Sequence, residues 1–207
     1  FAFPLHAQTR SVSLPQWTLE LKERTFTVMT VPWDRPVSKG GAGIQAEGTG
    51  MYRCVFTVPE FLRGTQLAFF VSSIDDADRT RLNGVTIGET GRFPEPALSD
   101  FRSGFREPRL YVIPQNLLRG GENELRIEVF NFAGSGGFNG DEPPVIAPYG
   151  ELSRRAERLR LGHDGVRISL LTALMCTFAG LVCLVVFYGT KQSVHYALRR
   201  AMLSFRI

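Results

Sequence analysis

Histidine is nearly absent from this chain: the three are His6, His163 and His195, and none lies between residues 8 and 150. Histidine-based triads and histidine-ligated metal sites are therefore excluded from that stretch. Cysteine is scarce as well. Cys54 stands alone in the first 150 residues, so no disulfide can form there and the fold must depend on its apolar core. The third absence is charge. Ile168 to Tyr188 reads ISLLTALMCTFAGLVCLVVFY, 21 residues without an acidic or basic side chain. As a helix rising 1.5 Å per residue, that run spans about 30 Å, the hydrocarbon thickness of a bilayer. Helical periodicity is also missing before about residue 151, and no internal repeat is present.

What remains is a head of ordinary domain size, residues 8–150, ahead of a membrane segment at 168–188. The net charge of +4 does not describe the head. Arg154, Arg155, Arg158 and Arg160 crowd the linker at 151–167, and Lys191, Arg199, Arg200 and Arg206 follow the apolar run in a tail at 189–207. Flanks of this kind suit lipid headgroups, and no separate basic face points to nucleic acid. Residues 1–7, FAFPLHA, read as the end of a secretory signal, with small Ala7 at the cleavage position. Arginine and lysine are balanced across the apolar run, so orientation rests on that signal. It predicts a single-pass protein of the bacterial inner membrane with its head in the periplasm.

The head reads as short strands broken by Gly, Pro and Asn. In Met51–Val58, Tyr52, Cys54, Phe56 and Val58 alternate with polar positions, the period of two that buries one face. Leu67, Phe69 and Val71 repeat it. Leu125, Ile127 and Val129 alternate with Glu124, Arg126 and Glu128. Asn83-Gly84 between two such runs predicts a tight hairpin, because both turn positions need positive φ. The fold class is mainly β: an antiparallel jelly-roll sandwich, then a single transmembrane helix and a short amphipathic tail.

Three stretches of the head, GTGMYRCVFTVP (48–59), IDDADRTRLNGVTIGETGRFP (74–94) and GGENELRIEVFNFAGSGGF (120–138), resemble the jelly-roll sugar-binding domain of family 2 glycoside hydrolases. They are also similar to related domains of sialate O-acetylesterases. In such enzymes the domain accompanies a catalytic barrel and carries no chemistry, so the resemblance implies a chain that is not an enzyme and uses no cofactor. A jelly-roll head on a membrane helix also resembles the input of bacterial seven-transmembrane receptors with diverse intracellular signalling modules. Residues 187–206 would then be a first inner loop and the start of a second span, although Arg199-Arg200 interrupts that second apolar run.

Candidate contact residues follow from chemistry. Asp75, Asp76 and Asp78 could supply oxygens to calcium, but short acidic residues before a hairpin more simply cap the turn through backbone N–H groups, and no metal is expected. Trp33, Phe93 and Phe138, with Asp76 and Asp78, are the candidate ligand or partner contacts in the head. Trp33 and Phe93 stand beside prolines in loop-like contexts and are the aromatics expected to be exposed for stacking on a sugar or a partner. The glycine-rich run Gly134–Gly140 reads as a flexible or contact-making loop, since no helix follows to hold a phosphate. At 100° per residue, Ser169, Thr172, Ala173, Cys176, Thr177, Gly180 and Cys183 share an arc of about 140° on the membrane helix. Small residues let another backbone approach closely in lipid, so Ser169, Ala173, Cys176, Thr177 and Gly180 form the expected packing face. In the tail, Val194, Leu198, Ala201, Met202 and Phe205 recur at helical spacing beside Arg199, Arg200 and Arg206, which predicts a basic amphipathic helix on the membrane surface. The expected function is an extracytoplasmic binding module. It would be an accessory subunit docked through head and helix on a larger membrane complex, with a carbohydrate ligand or a sensor's input role as the alternative.

Overall fold

A computed structural model describes residues 10–140 and 142–204, leaving aside the side chains of 163–167, 193 and 202–204. The signal-like residues 1–7, Phe205 and Arg206 lie outside the described residues. The chain divides into two compact units, residues 1–160 and 161–207.

The first unit is built from twelve strands: β1 (Val12–Ser13), β2 (Gln16–Leu21), β3 (Arg24–Met29), β4 (Gly48–Thr57), β5 (Leu67–Val71), β6 (Ile74–Asp75), β7 (Ala77–Leu82), β8 (Val85–Thr90), β9 (Arg109–Val112), β10 (Glu122–Asn131), β11 (Gly137–Phe138) and β12 (Val145–Pro148). Six of them form one antiparallel sheet in the order β3-β2-β4-β10-β7-β8, four form a second in the order β1-β12-β5-β9, and β6 pairs with β11. The alternation read from sequence holds. Tyr52, Cys54 and Phe56 of β4 and Leu125, Ile127 and Val129 of β10 face Leu67, Phe69 and Val71 of β5 and Ile146 of β12 in one buried cluster. Two antiparallel sheets packed over a shared apolar core make a β-sandwich. Burial pushes the Cys54 thiol up to about 11, so it stays protonated at neutral pH and acts as a small apolar residue.

The Asn83-Gly84 hairpin forms as expected, with φ of 49° and 90° at the two positions. Its counterpart between β2 and β3 carried no such signal, because Lys22 and Glu23 occupy the left-handed region there, at φ 48° and 60°. β5 departs from simple alternation. All five residues of Leu67-Ala68-Phe69-Phe70-Val71 are buried, because the sheet is covered on both faces. Ala68 and Phe70, with Val145 and Ala147 of β12, pack against Leu152, Ala156 and Leu159. Those three residues share one face of α1 (Tyr149–Ser204) at helical spacing. The arginine-rich stretch before the apolar run therefore contributes its apolar stripe to the head, and the Arg155 guanidinium lies 4.8 Å from the Phe70 ring centroid.

In the second unit α1 continues without a break from Leu161 to Ser204. It is long and apolar enough to cross a membrane over Ile168–Ala201. The amphipathic tail is thus not a separate helix. Val194, Leu198, Arg199 and Arg200 sit on α1 itself, because no glycine or proline between 190 and 201 interrupts the hydrogen-bond ladder.

Candidate functional site

Asp76 and Asp78, two of the carboxylates singled out in the sequence, lead into the most polar part of the interior. β7 alternates with Asp78, Thr80 and Leu82 pointing inward, so two polar side chains occupy core positions. They meet β9, whose inward residues are Arg109 and Tyr111. Asp78 and Arg109 both have side chains wholly removed from solvent, and Arg109 Nε donates to Asp78 Oδ1 at 2.7 Å. The other Asp78 oxygen accepts from the Tyr111 hydroxyl at 2.8 Å and from Thr80 Oγ1 at 3.2 Å. Tyr111 in turn lies 2.7 Å from Thr90 Oγ1 on β8.

Arg109 is satisfied at every donor. One terminal nitrogen donates to the carbonyls of Gly104 and Glu107, both at 2.6 Å, and the other to those of Ile74 at 2.8 Å and Asp76 at 3.0 Å. With the Nε bond, these account for all five guanidinium N–H groups. Burial pushes the Asp78 carboxyl up, while the guanidinium and the Tyr111 and Thr80 hydroxyls draw it back. Burial beside the Asp78 charge likewise pushes the Tyr111 phenol up. A buried charge with no spare donor holds structure together and leaves no guanidinium N–H free to react. Here it ties β7, β9 and the loop at 104–107 into one block.

Asp76 clamps the same loops from the other side. Ser103 Oγ donates to one of its oxygens at 2.5 Å, and the Phe132 backbone N–H to the other at 3.0 Å. Neither aspartate caps the hairpin turn, contrary to the sequence expectation. Asn83 does so with its own amide: Nδ2 donates to Leu117 O and to Asn123 Oδ1, and Oδ1 accepts from Glu124 N–H. The Asn83-Gly84 and Glu122-Asn123 pairs that carried the family resemblance therefore form one interlocking joint. No group of three or more metal-binding side chains occurs among the described residues.

The aromatic candidates are inside. Trp33 is 0 % exposed, Phe138 2 % and Phe93 7 %, so the exposure expected of Trp33 and Phe93 is corrected. The glycine-rich run explains the first case. A side chain at Gly136 would place its Cβ 2.1 Å from the Trp33 ring, so glycine there lets the indole lie flat against the backbone. Within that run Gly136–Phe138 is packed, with Trp33 N–H donating to Gly136 O at 2.9 Å, while Gly134 and Asn139 are exposed. Phe138 joins Trp17 and Tyr52 in the core. Phe93 lies against Phe130 and under the Arg79 guanidinium. An exposed aromatic lies nearby: Phe132, 47 % exposed, stacks on Phe101 at 5.2 Å. Phe132 escaped the sequence reading because it follows the last residue of β10, where the alternation stops.

On α1, Ser169, Ala173, Cys176, Thr177 and Gly180 are exposed, as are all described residues of the apolar stretch. Thr172 Oγ1 donates to Ile168 O and Thr177 Oγ1 to Ala173 O and Leu174 O, so both hydroxyls are satisfied within the helix. Arg199 and Arg200 are exposed on the same helix.

No protein-family model and no curated protein sequence matches the chain. Solved structures similar to it include an FMN-binding β-glucuronidase from Facaelibacterium prausnitzii, 24 % identical with a TM-score of 0.49 over 67 % of this chain and 22 % of that one. A Ruminococcus gnavus β-glucuronidase is 13 % identical with a TM-score of 0.49 over 71 % and 30 %. Bacteroides uniformis β-glucuronidase 2 is 17 % identical with a TM-score of 0.49 over 67 % and 18 %. The chain thus spans less than a third of the enzymes it matches. All three of these similar structures are β-glucuronidases. The expectation that the chain is not an enzyme is corrected by the same finding, since every one of these similar structures is a β-glucuronidase.

Proposed function

We propose that this chain is a membrane-anchored binding module whose head, a jelly-roll sandwich, stands on the periplasmic side of a bacterial inner membrane. The apolar stretch of α1 crosses the bilayer, and its small-residue face docks on a helix of a larger membrane assembly, of which the chain is an accessory or structural subunit. The observation that carries this reading is the exposure of that stretch. None of its apolar window is buried, and Leu170, Leu174, Met175, Phe178 and Leu181 stand 63–72 % exposed. Each such side chain is favoured by about 1.5–3 kcal/mol when taken out of water, so lipid or protein must cover them. Between Ser169 and Gly180 the face of Ser169, Ala173, Cys176 and Gly180 carries only small side chains, which let a partner backbone approach, while Leu184 and Phe187 follow on the same side. The Thr172 and Thr177 hydroxyls beside it are bonded to their own backbone. Orientation rests on the signal-like character of residues 1–7. Arg199, Arg200 and Arg206 are read as contacts to lipid headgroups on the inner side.

Purification in mild detergent from native membranes, followed by mass measurement and identification of what travels with the chain, tests this. A stoichiometric partner lost on Ala173→Leu with Gly180→Leu is the expected result. A monomer, or a partner retained by that double variant, overturns it and moves the receptor-input reading forward.

A further inference from the structure

The outward face of the six-stranded sheet carries two arginine groups that are treated differently. On β7, Arg79 is neutralised: its Nε donates to Glu89 at 2.6 Å, and Glu128 lies 3.5 Å away. Two residues along the strand, Arg81 has no carboxylate partner among the described residues. The register makes its situation worse. Arg126 of β10 stands directly opposite Arg53 of β4 on one side and opposite Arg81 on the other. Three guanidiniums thus occupy one cross-strand row with neighbouring strands about 4.8 Å apart, an arrangement in which like charges oppose each other unfavourably. A single carboxylate, Glu124, serves the row. It accepts from both Arg53 and Arg126, and those bonds hold it below the ordinary carboxylate range.

The row does not lie on a flat surface. Arg81, Arg126 and Glu124 join Asn83, Gly84 and Arg119 in lining a depression of about 500 Å³. Arg119 is presented there by the Asn83–Asn123 joint: its N–H donates to Asn123 Oδ1 at 2.8 Å and Asn123 Nδ2 donates back to its carbonyl. Arg63 fastens the same loop through Gly120 O. Three arginines therefore line one hollow whose only acid is already shared.

We propose that this hollow is a binding site for an oxyanion, a carboxylate or phosphate group held by Arg81, Arg119 and Arg126. The planar forks of arginine match both groups in a bidentate fashion. Such a ligand would supply the negative charge that Arg79 receives from Glu89 and Glu128 and that Arg81 lacks. The site lies on the head, and its test is independent of whether α1 docks on a partner.

The test uses the full chain in nanodiscs of uncharged lipid, with inorganic phosphate, glucuronate and glucose as probes in titration calorimetry. Saturable binding of phosphate or glucuronate, with none of glucose, is expected, and the preferred anion distinguishes a phosphate source from a carboxylate one. Arg81→Gln and Arg119→Gln should each weaken that binding about tenfold, the scale of one charge-assisted hydrogen bond. Glu124→Gln should tighten it, and Arg79→Gln should leave it unchanged. Absence of saturable binding to both anions overturns the proposal, as does an equal loss in Arg79→Gln, which would reduce the effect to the general field of the sheet.

Discussion

Two arginines, one buried between the sheets and one on the outward face of β7, show what a charge needs in order to belong to the fold. Arg109, between the sheets, has five donors and five acceptors, with Asp78 wholly buried beside it. Arg81, on the outer face, has an arginine opposite it and no acid of its own. The first arrangement is closed, so nothing is left to offer a ligand. The second is open, and the sheet tolerates it because water screens charges there that the interior cannot. Satisfaction marks the structural charge, and deficit marks the one available to a partner.

The sharpest way to break that contrast is to truncate each arginine in turn. Arg109→Met leaves Asp78 buried with its countercharge gone and strands four carbonyls, and should cost about 3–5 kcal/mol. Arg81→Met should change stability by no more than about 0.5 kcal/mol, and relief of the cross-strand repulsion makes a small gain the expected sign. Urea unfolding of the detergent-solubilised chain, followed through the near-ultraviolet signal of Trp17 and Trp33, measures both. Comparable losses in the two variants would erase the distinction.

A smaller effect sharpens it. The Asn83–Asn123 joint positions Arg119 beside the hollow and contributes nothing to the Asp78–Arg109 block. Asn83→Ala removes three side-chain hydrogen bonds and places a Cβ-bearing residue of poorer left-handed tolerance at φ 49°. About 1–3 kcal/mol of stability should be lost in the same unfolding assay. Asn83→Gly, which restores the backbone freedom without the amide, should recover only part of it. Full recovery by glycine would mean that the turn matters and the joint does not.

Much of this architecture is written in periodicity, and the site is not. β4 and β10 alternate cleanly, and both sit at the centre of the larger sheet with one wet face, so polarity reports direction. β9 inverts the rule: Arg109 and Tyr111 point in, while Val112 is 44 % exposed. Nothing in Arg-Leu-Tyr-Val announces that, because the reason is Asp78, 31 residues earlier in sequence and across the core. Trp33 beside Pro32 reads as a loop residue until Gly136 is brought under its ring from a hundred positions away. The β2–β3 hairpin was illegible for a local reason, since Lys22 and Glu23 adopt positive φ without being the residues that favour it. The arginine row depends on register, which pairs residues 53, 126 and 81, and no single strand records it.

Proton linkage probes the closed region from its edge. Asp75 on β6 is half-buried beside Asp76. Burial first, then the hydrogen bond and the charge of Asp76, push its carboxyl up to about 7, against the pull of Arg109. An unfolded aspartate titrates near about 3.9, so between about pH 4 and 7 the folded chain holds a proton that the unfolded chain has released. The stability this contributes is fully present below about pH 4 and is lost as pH rises through 7. Asp78 shifts in the same direction, so Asp75→Asn should flatten the decline between pH 5 and 8 without abolishing it. The difference between wild type and variant in thermal midpoint across that window isolates Asp75. Parallel profiles would mean that solvent at its open side keeps Asp75 an ordinary carboxylate, and that the closed block ends at Asp76.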